Sequence, residues 1–267
     1  KEEDFDIQSH DIPIRDITKF SKEDLDIISK SELDLIIVAS FGLILPESML
    51  SIPNYGVINI HPSLLPKYRG PSPISTCIVN GEKITGVTIM KMVKELDAGP
   101  ILYQEKIEIN PNFNSDELGI KLFEIGTSKI NELFSESTIN QITESEQNHA
   151  KASFTKTVKK NDGQINWKED IQLIYRKFKA YYSWPGIYTY WNNKRIIFKE
   201  FTIEVEGSCN TNSAGKILEL KNGKLIVSAQ GGKICVSDIQ MEGGKSMKSS
   251  VFVNGRPNII GDVFKQH

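Results

Sequence analysis

The sequence is poor in the residues that metal or covalent chemistry would need. Its 267 residues include three cysteines, Cys77, Cys209 and Cys235. The count is odd and the spacing fits neither a disulfide framework nor a zinc site, so they are read as reduced thiols of an intracellular protein. There are four histidines, His10, His61, His149 and His267, scattered along the chain, and no metal is expected. G-x-G-x-x-G and phosphate-loop patterns are lacking, which argues against nucleotide cofactors. Without a G-x-S-x-G elbow, a covalent acyl-enzyme is not indicated. No apolar run approaches the roughly 18 residues of a membrane span. The opening Lys1-Glu2-Glu3-Asp4 has no signal-peptide pattern, and no internal repeat is visible.

What is present is ordinary globular material, 39% hydrophobic and 25% charged, enough for one large core or two smaller ones. The net charge of −2 hides an asymmetry. Residues 1–150 hold 13 Lys and Arg against 24 Asp and Glu, whereas residues 151–267 hold 19 against 10. A basic half on an acidic protein suits a polyanionic partner, and it equally suits a solvated lysine-rich surface.

In chain order, Ile12, Ile14 and Ile17 could form a short strand, and Ser21 with Asp24 caps a helix near 21–30. Continuous apolar runs at Leu35–Ala39 and Gly56–Ile60 predict strands buried on both faces. Pro46 to Leu50 reads as a short helix, as does Ile74 to Val79, stopped by Asn80-Gly81. Thr85–Met92 and Ile101–Ile109 extend the same sheet. Ser115 caps a helix with Leu118, Leu122, Ile125, Ile130 and Leu133 on one stripe. Residues 135–155 are polar and read as a linker between a domain at 1–134 and another at 156–267. The second half has one helical stripe, Ile171, Ile174, Tyr175 and Phe178. Short strands follow, with turn signals at Asn192-Asn193, Asn222-Gly223 and Gly231-Gly232, the pattern of a small β-barrel or sandwich.

The chemistry gathers in one stretch, Asn59-Ile60-His61-Pro62-Ser63-Leu64-Leu65-Pro66-Lys67-Tyr68-Arg69-Gly70, at the end of a predicted strand. Open α/β sheets put their ligands at strand ends. Strands alternate faces, so Asn59 and His61 project together. A carboxylate from Asp97 could join them if the turn at Gly99 brings its strand end alongside. Amide, imidazole and carboxylate together suit acyl transfer: donors for a developing oxyanion and a base for the nucleophile. Taken singly, a histidine near an asparagine is more often a satisfied loop residue, Arg69 a surface ion pair and Trp184 a core residue.

This stretch, with Leu96-Asp97-Ala98-Gly99 downstream, strongly resembles the folate-dependent formyltransferases, whose one-carbon donor is 10-formyltetrahydrofolate. The resemblance implies a Rossmann-like α/β formyltransferase domain followed by a small OB-like β-barrel. It implies Asn59, His61 and Asp97 as the catalytic triad. It also implies a folate pocket from Phe41-Gly42-Leu43-Ile44-Leu45, Ser63-Leu64-Leu65-Pro66 and Leu96-Asp97-Ala98-Gly99, with Asn59 and His61 holding the oxyanion and Asp97 assisting proton removal. Pro71-Ser72-Pro73-Ile74, Thr85-Gly86-Val87-Thr88-Ile89-Met90, Ile165-Asn166-Trp167 and Trp184-Pro185-Gly186 look like the branch that formylates initiator methionyl-tRNA for translation initiation. That branch implies a tRNA-binding second domain, with Arg69, Lys194, Arg195, Lys245 and Lys248 as candidate contacts. It further implies a monomer with no membrane association, in a bacterial cytoplasm or an organelle matrix. The family begins with a strand, a glycine-containing loop and a basic insertion not found here, so the chain is expected to start part-way into the first domain and to leave a raw sheet edge. The same donor chemistry serves sugar-nucleotide formyltransferases. A folate hydrolase, or an RNA-binding module on an inactive enzyme, are the readings from other classes.

Overall fold

A computed structural model describes residues 14–135, 137–205 and 213–266. His10, Ile12, Cys209 and His267 lie outside the described residues. Ile14 and Ile17 are not in a strand. Helix α1 (Lys22–Lys30) starts as expected: the Ser21 hydroxyl accepts from the Asp24 N–H while the Asp24 carboxylate accepts from the Ser21 N–H.

The first domain is built on one sheet in the order β1-β2-β3-β4. Strand β1 (Ile36–Ala39) pairs in parallel with β2 (Val57–His61). Strands β3 (Ile84–Lys91) and β4 (Ile101–Glu108) follow antiparallel. Among the described residues β1 is therefore an edge, and Ile37 on it is half exposed. Helix α2 (Pro73–Val79) follows β2, and α3 (Ser115–Leu133) packs on the sheet. Leu118, Leu122 and Ile130 of α3 share a core with Ile58, Ile60, Val87 and Ile89. Gly126 permits the close approach, because a Cβ there would lie 2.5 Å from Cγ2 of Ile60. Since Ile58 and Ile60 face α3, strand alternation turns Asn59 and His61 to the opposite side. The cap of α3 corrects the sequence reading by one residue. Asn114 is the cap and forms a reciprocal pair with Glu117, which leaves Ser115 as the first helical residue.

The second domain holds α4 (Ile171–Ala180) and a six-stranded antiparallel sheet in the order β5-β6-β9-β8-β7. Its strands are β5 (Ile187–Trp191), β6 (Lys194–Val205), β7 (Ile217–Lys221), β8 (Lys224–Ala229) and β9 (Gly232–Met241). A short β10 (Ser246–Lys248) pairs with β9, and α5 (Ser249–Asn254) follows. The turn signals fall where expected, with Asn192, Asn193, Asn222, Gly223 and Gly231 all at positive φ. Residues 262–265 seal the two outer strands together. Lys265 exchanges backbone hydrogen bonds with Tyr190 of β5 (3.1 and 2.8 Å), while Phe264 donates to Gly215 and Ile217 to Asp262 beside β7 (each 2.8 Å). Trp167, Phe198, Phe201, Phe252 and Phe264 fill the interior. Trp184 does not join them. It is 59% exposed, contrary to its expected place in the core, and sits on the turn leading into β5.

The domains meet through α2 and α4. The Arg176 guanidinium donates to the Val79 carbonyl (2.9 Å) and the Ser75 hydroxyl to the Ala180 carbonyl (3.0 Å). The connector is not a free linker over its second half. Ser145 exchanges backbone hydrogen bonds with Ile101 (2.8 and 2.9 Å), Gln147 is buried, and residues 153–156 pair with the loop after β2. No helix among the described residues is long and apolar enough to cross a membrane.

Candidate active site

The loop leaving β2 folds back over the face that carries Asn59 and His61. Polar side chains of the neighbouring strands pin it. The Thr88 hydroxyl donates to the Ser63 carbonyl (2.6 Å) and accepts the Leu65 N–H (3.2 Å), and the Gln104 amide donates to the Leu65 carbonyl (2.9 Å). The Ser63 hydroxyl closes the turn on the Lys67 carbonyl at 2.7 Å. The chain then passes through positive φ at Tyr68 (61°) and Gly70 (105°). That path brings the Tyr68 carbonyl to 2.9 Å from Nε2 of His61.

Asp97 arrives from the connection between β3 and β4. Gly99 is required there, because any Cβ would lie 1.9 Å from the Lys91 carbonyl oxygen. Asp97 itself has φ 48°, an arrangement a non-glycine residue holds only when its surroundings fix it. Its carboxylate accepts the Gly70 N–H at 2.7 Å and stands 3.8 Å from Nδ1 of His61. The turn at Gly99 thus joins the two motifs in space.

The hydrogen bond at Nε2 decides the state of the imidazole. A carbonyl only accepts, so Nε2 carries a proton. Burial holds the His61 pKa below its ordinary value, against the opposing pull of Asp97 and of the Tyr68 carbonyl. The ring is therefore neutral near pH 7, with a lone pair on Nδ1. At 3.8 Å that lone pair is not engaged by Asp97. Asn59 is half-buried, and among the described residues its amide has no hydrogen-bond partner. The site therefore presents a free amide donor, a basic nitrogen and a carboxylate beside it.

The remaining candidates divide. Phe41 and Leu96 are exposed, Ile44 almost completely so, and a side chain at Gly42 would meet open space. Leu43 and Leu45 are half-buried. An ion pair between Lys94 and Glu47 (3.0 Å) ties the end of this apolar loop to the Asp97 loop. By contrast Ser63, Leu65, Ala98 and Gly99 are interior residues that shape the backbone, and Leu64 packs on Gly86 while Pro66 accepts from Ser153. Arg69, expected as an RNA contact, is buried: its guanidinium donates to the Gln147 side-chain oxygen (3.2 and 2.6 Å) and meets Nδ1 of His149 (3.2 Å). Its planar fork fits an amide oxygen seventy-eight residues away in sequence, which no local pattern announces.

Lys194, the first residue of β6, and Lys245, in the connection between β9 and β10, are exposed at the same end of the second sheet, where the Glu242 N–H donates to the Arg195 carbonyl (2.9 Å). Lys248 is exposed but paired with Asp238 (2.9 Å). Arg195 lies mostly covered over the Tyr188 ring, 3.7 Å from Glu242. Sequence reasoning passed over Gln147, Ser153 and Thr155. They lie in an aperiodic polar stretch and act mainly on backbone groups, so no pattern marks them.

No group of His, Cys, Asp and Glu among the described residues could hold a metal ion. The Cys77 thiol is no nucleophile, since burial pushes its pKa up to about 11.

Comparison with known proteins bears on this geometry. A family model described as formyl transferase matches residues 3–132, and one described as formyl transferase, C-terminal domain, matches residues 157–257. A methionyl-tRNA formyltransferase of Caldicellulosiruptor saccharolyticus is 37% identical over 248 residues, covering 93% of this chain and 79% of the relative. The chain belongs to the methionyl-tRNA formyltransferase family. Among solved structures, the methionyl-tRNA formyltransferase of Clostridium thermocellum shares the fold with a TM-score of 0.59, at 18% identity over 81% of this chain and 84% of that one. HypX of Aquifex aeolicus, solved in complex with tetrahydrofolic acid, has a TM-score of 0.69 at 16% identity, covering 91% of this chain and 44% of that one. The α/β domain and antiparallel second domain of this formyltransferase correspond to the two family models, and residues 145–156 run between them.

Proposed function

We propose that the chain transfers a formyl group from 10-formyltetrahydrofolate to the α-amine of initiator methionyl-tRNA. The observation that carries this reading is the free Asn59 amide on the same face as a neutral His61, with Asp97 held 3.8 Å from the imidazole. The donor supplies an activated formyl carbonyl on a ring-bearing amine. The exposed apolar side chains of Phe41, Ile44 and Leu96, tied together through Lys94 and Glu47, fit a flat heteroaromatic ring that would cover them. Asn59 donates to the formyl oxygen as negative charge builds there. Nδ1 of His61 takes the proton that the attacking amine sheds, and the Asp97 carboxylate stabilises the imidazolium so formed. His61 then returns that proton to the departing nitrogen of the donor.

His61 is thereby a proton acceptor rather than the second oxyanion donor expected from the sequence, because its N–H is committed to the Tyr68 carbonyl. The basic charge of residues 151–267 supports tRNA phosphates as the partner of the second domain. Lys194 and Lys245 are the candidates left open to them. On this reading the chain works as a monomer, where charged tRNA and folate occur together, in a cytoplasm or an organelle matrix. The test is transfer of the radiolabelled formyl group from 10-formyltetrahydrofolate to initiator methionyl-tRNA. Labelled methionyl-tRNA is the expected product; formate released without transfer, or no reaction, refutes the assignment.

A further inference from the structure

We infer that Gln147, in the segment between the two domains, is a positioning residue for Asp97, setting where its carboxylate stands against His61. The inference rests on the transfer reaction proposed above. Gln147 is buried, and its amide is fully used. Nε2 donates to the carbonyls of Asp97 (2.9 Å) and Gly99 (2.7 Å), and Oε1 accepts from Nε and Nη2 of Arg69 (3.2 and 2.6 Å). Two donors and two lone pairs exhaust what one amide offers. A residue needed only to satisfy Arg69 would have its oxygen alone engaged. Here the nitrogen grips the two carbonyls that flank Ala98, the turn that aims Asp97 and keeps it at φ 48°.

The same segment holds the other neighbour of His61. The Ser153 hydroxyl accepts the Tyr68 N–H at 2.9 Å, and the backbone of Arg69 pairs with Ser153 and Thr155 (2.8 and 2.7 Å). The Tyr68 carbonyl, which fixes the His61 tautomer, therefore hangs from the segment that also holds Asp97. That segment runs directly into the second domain. The part of the chain that would carry the acceptor is thus fastened by backbone and side-chain bonds to both partners of the catalytic imidazole.

Gln147→Glu separates the two ends of the amide. It keeps the shape and the acceptor for Arg69, but it has no donor for the carbonyls of Asp97 and Gly99. The Asp97 loop should relax. A shift of about 1 Å in such a site can lower turnover about a hundredfold. The expected result in the full chain is a fall in kcat of about ten- to a hundredfold, with KM for the donor and for methionyl-tRNA within about threefold. The Gly70 amide proton, which reports the bond to the Asp97 carboxylate, should move upfield in the nitrogen-proton spectrum. A purely structural role would lower the melting temperature without this split. Both readouts must move, and either one unchanged overturns the inference. If Gln147→Glu does not fold, Gln147→Asn, one methylene shorter, carries the same two expectations and the same refutation. Should the wild-type chain transfer no formyl group to methionyl-tRNA, the functional reading falls, while the Gly70 resonance still decides whether Gln147 positions Asp97.

Discussion

Replacing Asp97 by asparagine changes one charge and almost nothing else. The amide oxygen can still accept the Gly70 N–H now bound by Oδ2, so the loop keeps its path. What is lost is a negative charge 3.8 Å from Nδ1 of His61, with the two side chains 4% and 10% exposed. At an effective dielectric constant of about 20, unit charges at that distance attract by about 4 kcal/mol. That attraction exists only once His61 has taken the proton, so its loss raises the barrier and leaves ground-state binding alone. Solvent and relaxation recover part of it, and we expect kcat to fall about a hundred- to a thousandfold with donor binding unchanged. The pH profile carries a second signature. The acting form of His61 is neutral, so activity falls on the acid side as the ring protonates. Burial lowers that pKa and Asp97 opposes it. Removing Asp97 leaves burial less opposed, and the acid limb of kcat/KM moves to lower pH. Stopped-flow or steady-state transfer assays between pH 5 and 9 read both effects. Turnover within about threefold of wild type, or a limb that moves upward, refutes the pairing of Asp97 with a proton-accepting His61.

Asn59→Ala removes the free amide and should lower kcat about a hundred- to a thousandfold, the range found for single oxyanion donors, with no change in melting temperature. Gly126→Ala pushes a methyl group to 2.5 Å from Ile60. It should destabilise the first domain by about 1–2 kcal/mol despite alanine's better helix propensity, measured by urea unfolding. Lys194→Glu with Lys245→Glu should raise KM for methionyl-tRNA, leave KM for the donor unchanged, and flatten the salt dependence of tRNA binding by about two in logarithmic slope.

Strand β2 was legible because a buried strand reads as an unbroken apolar run. The same kind of run at Leu35–Ala39 did not mean burial on both faces: among the described residues β1 is an edge, with Ile37 and Ala39 exposed. Val57 and Ile58 led to the site directly. The pairing of Asn59 with His61 follows from the two-residue period of a strand, and Asp97 joined them because Gly99 marked a close backbone approach. Other features had no sequence signal. Arg69 is buried against Gln147 across seventy-eight residues, and only the folded chain supplies such a partner. The segment 145–156 works by main-chain hydrogen bonds and short polar side chains, which have no period and resemble any linker. Trp184 shows the limit of a tendency: aromatic residues favour the interior, but this one is held outside by the turn that carries it.

The seal formed by residues 262–265 gives the second domain a timetable. Thr189 on β5 binds the Lys265 carbonyl seventy-six positions downstream. At synthesis rates of about 5–20 residues per second, β5 leaves the ribosome about four to fifteen seconds before the residues that cover its edge. Throughout that interval the first sheet, its helices and the Gln147 segment are already made, while β6 to β10 are added one after another and the barrel, once they are in place, still stands open along one side. Stalled or clipped chains lacking residues 262–265 should therefore carry an assembled first domain beside an unsealed second one, and that strand edge is where such chains would be captured by chaperones or by one another.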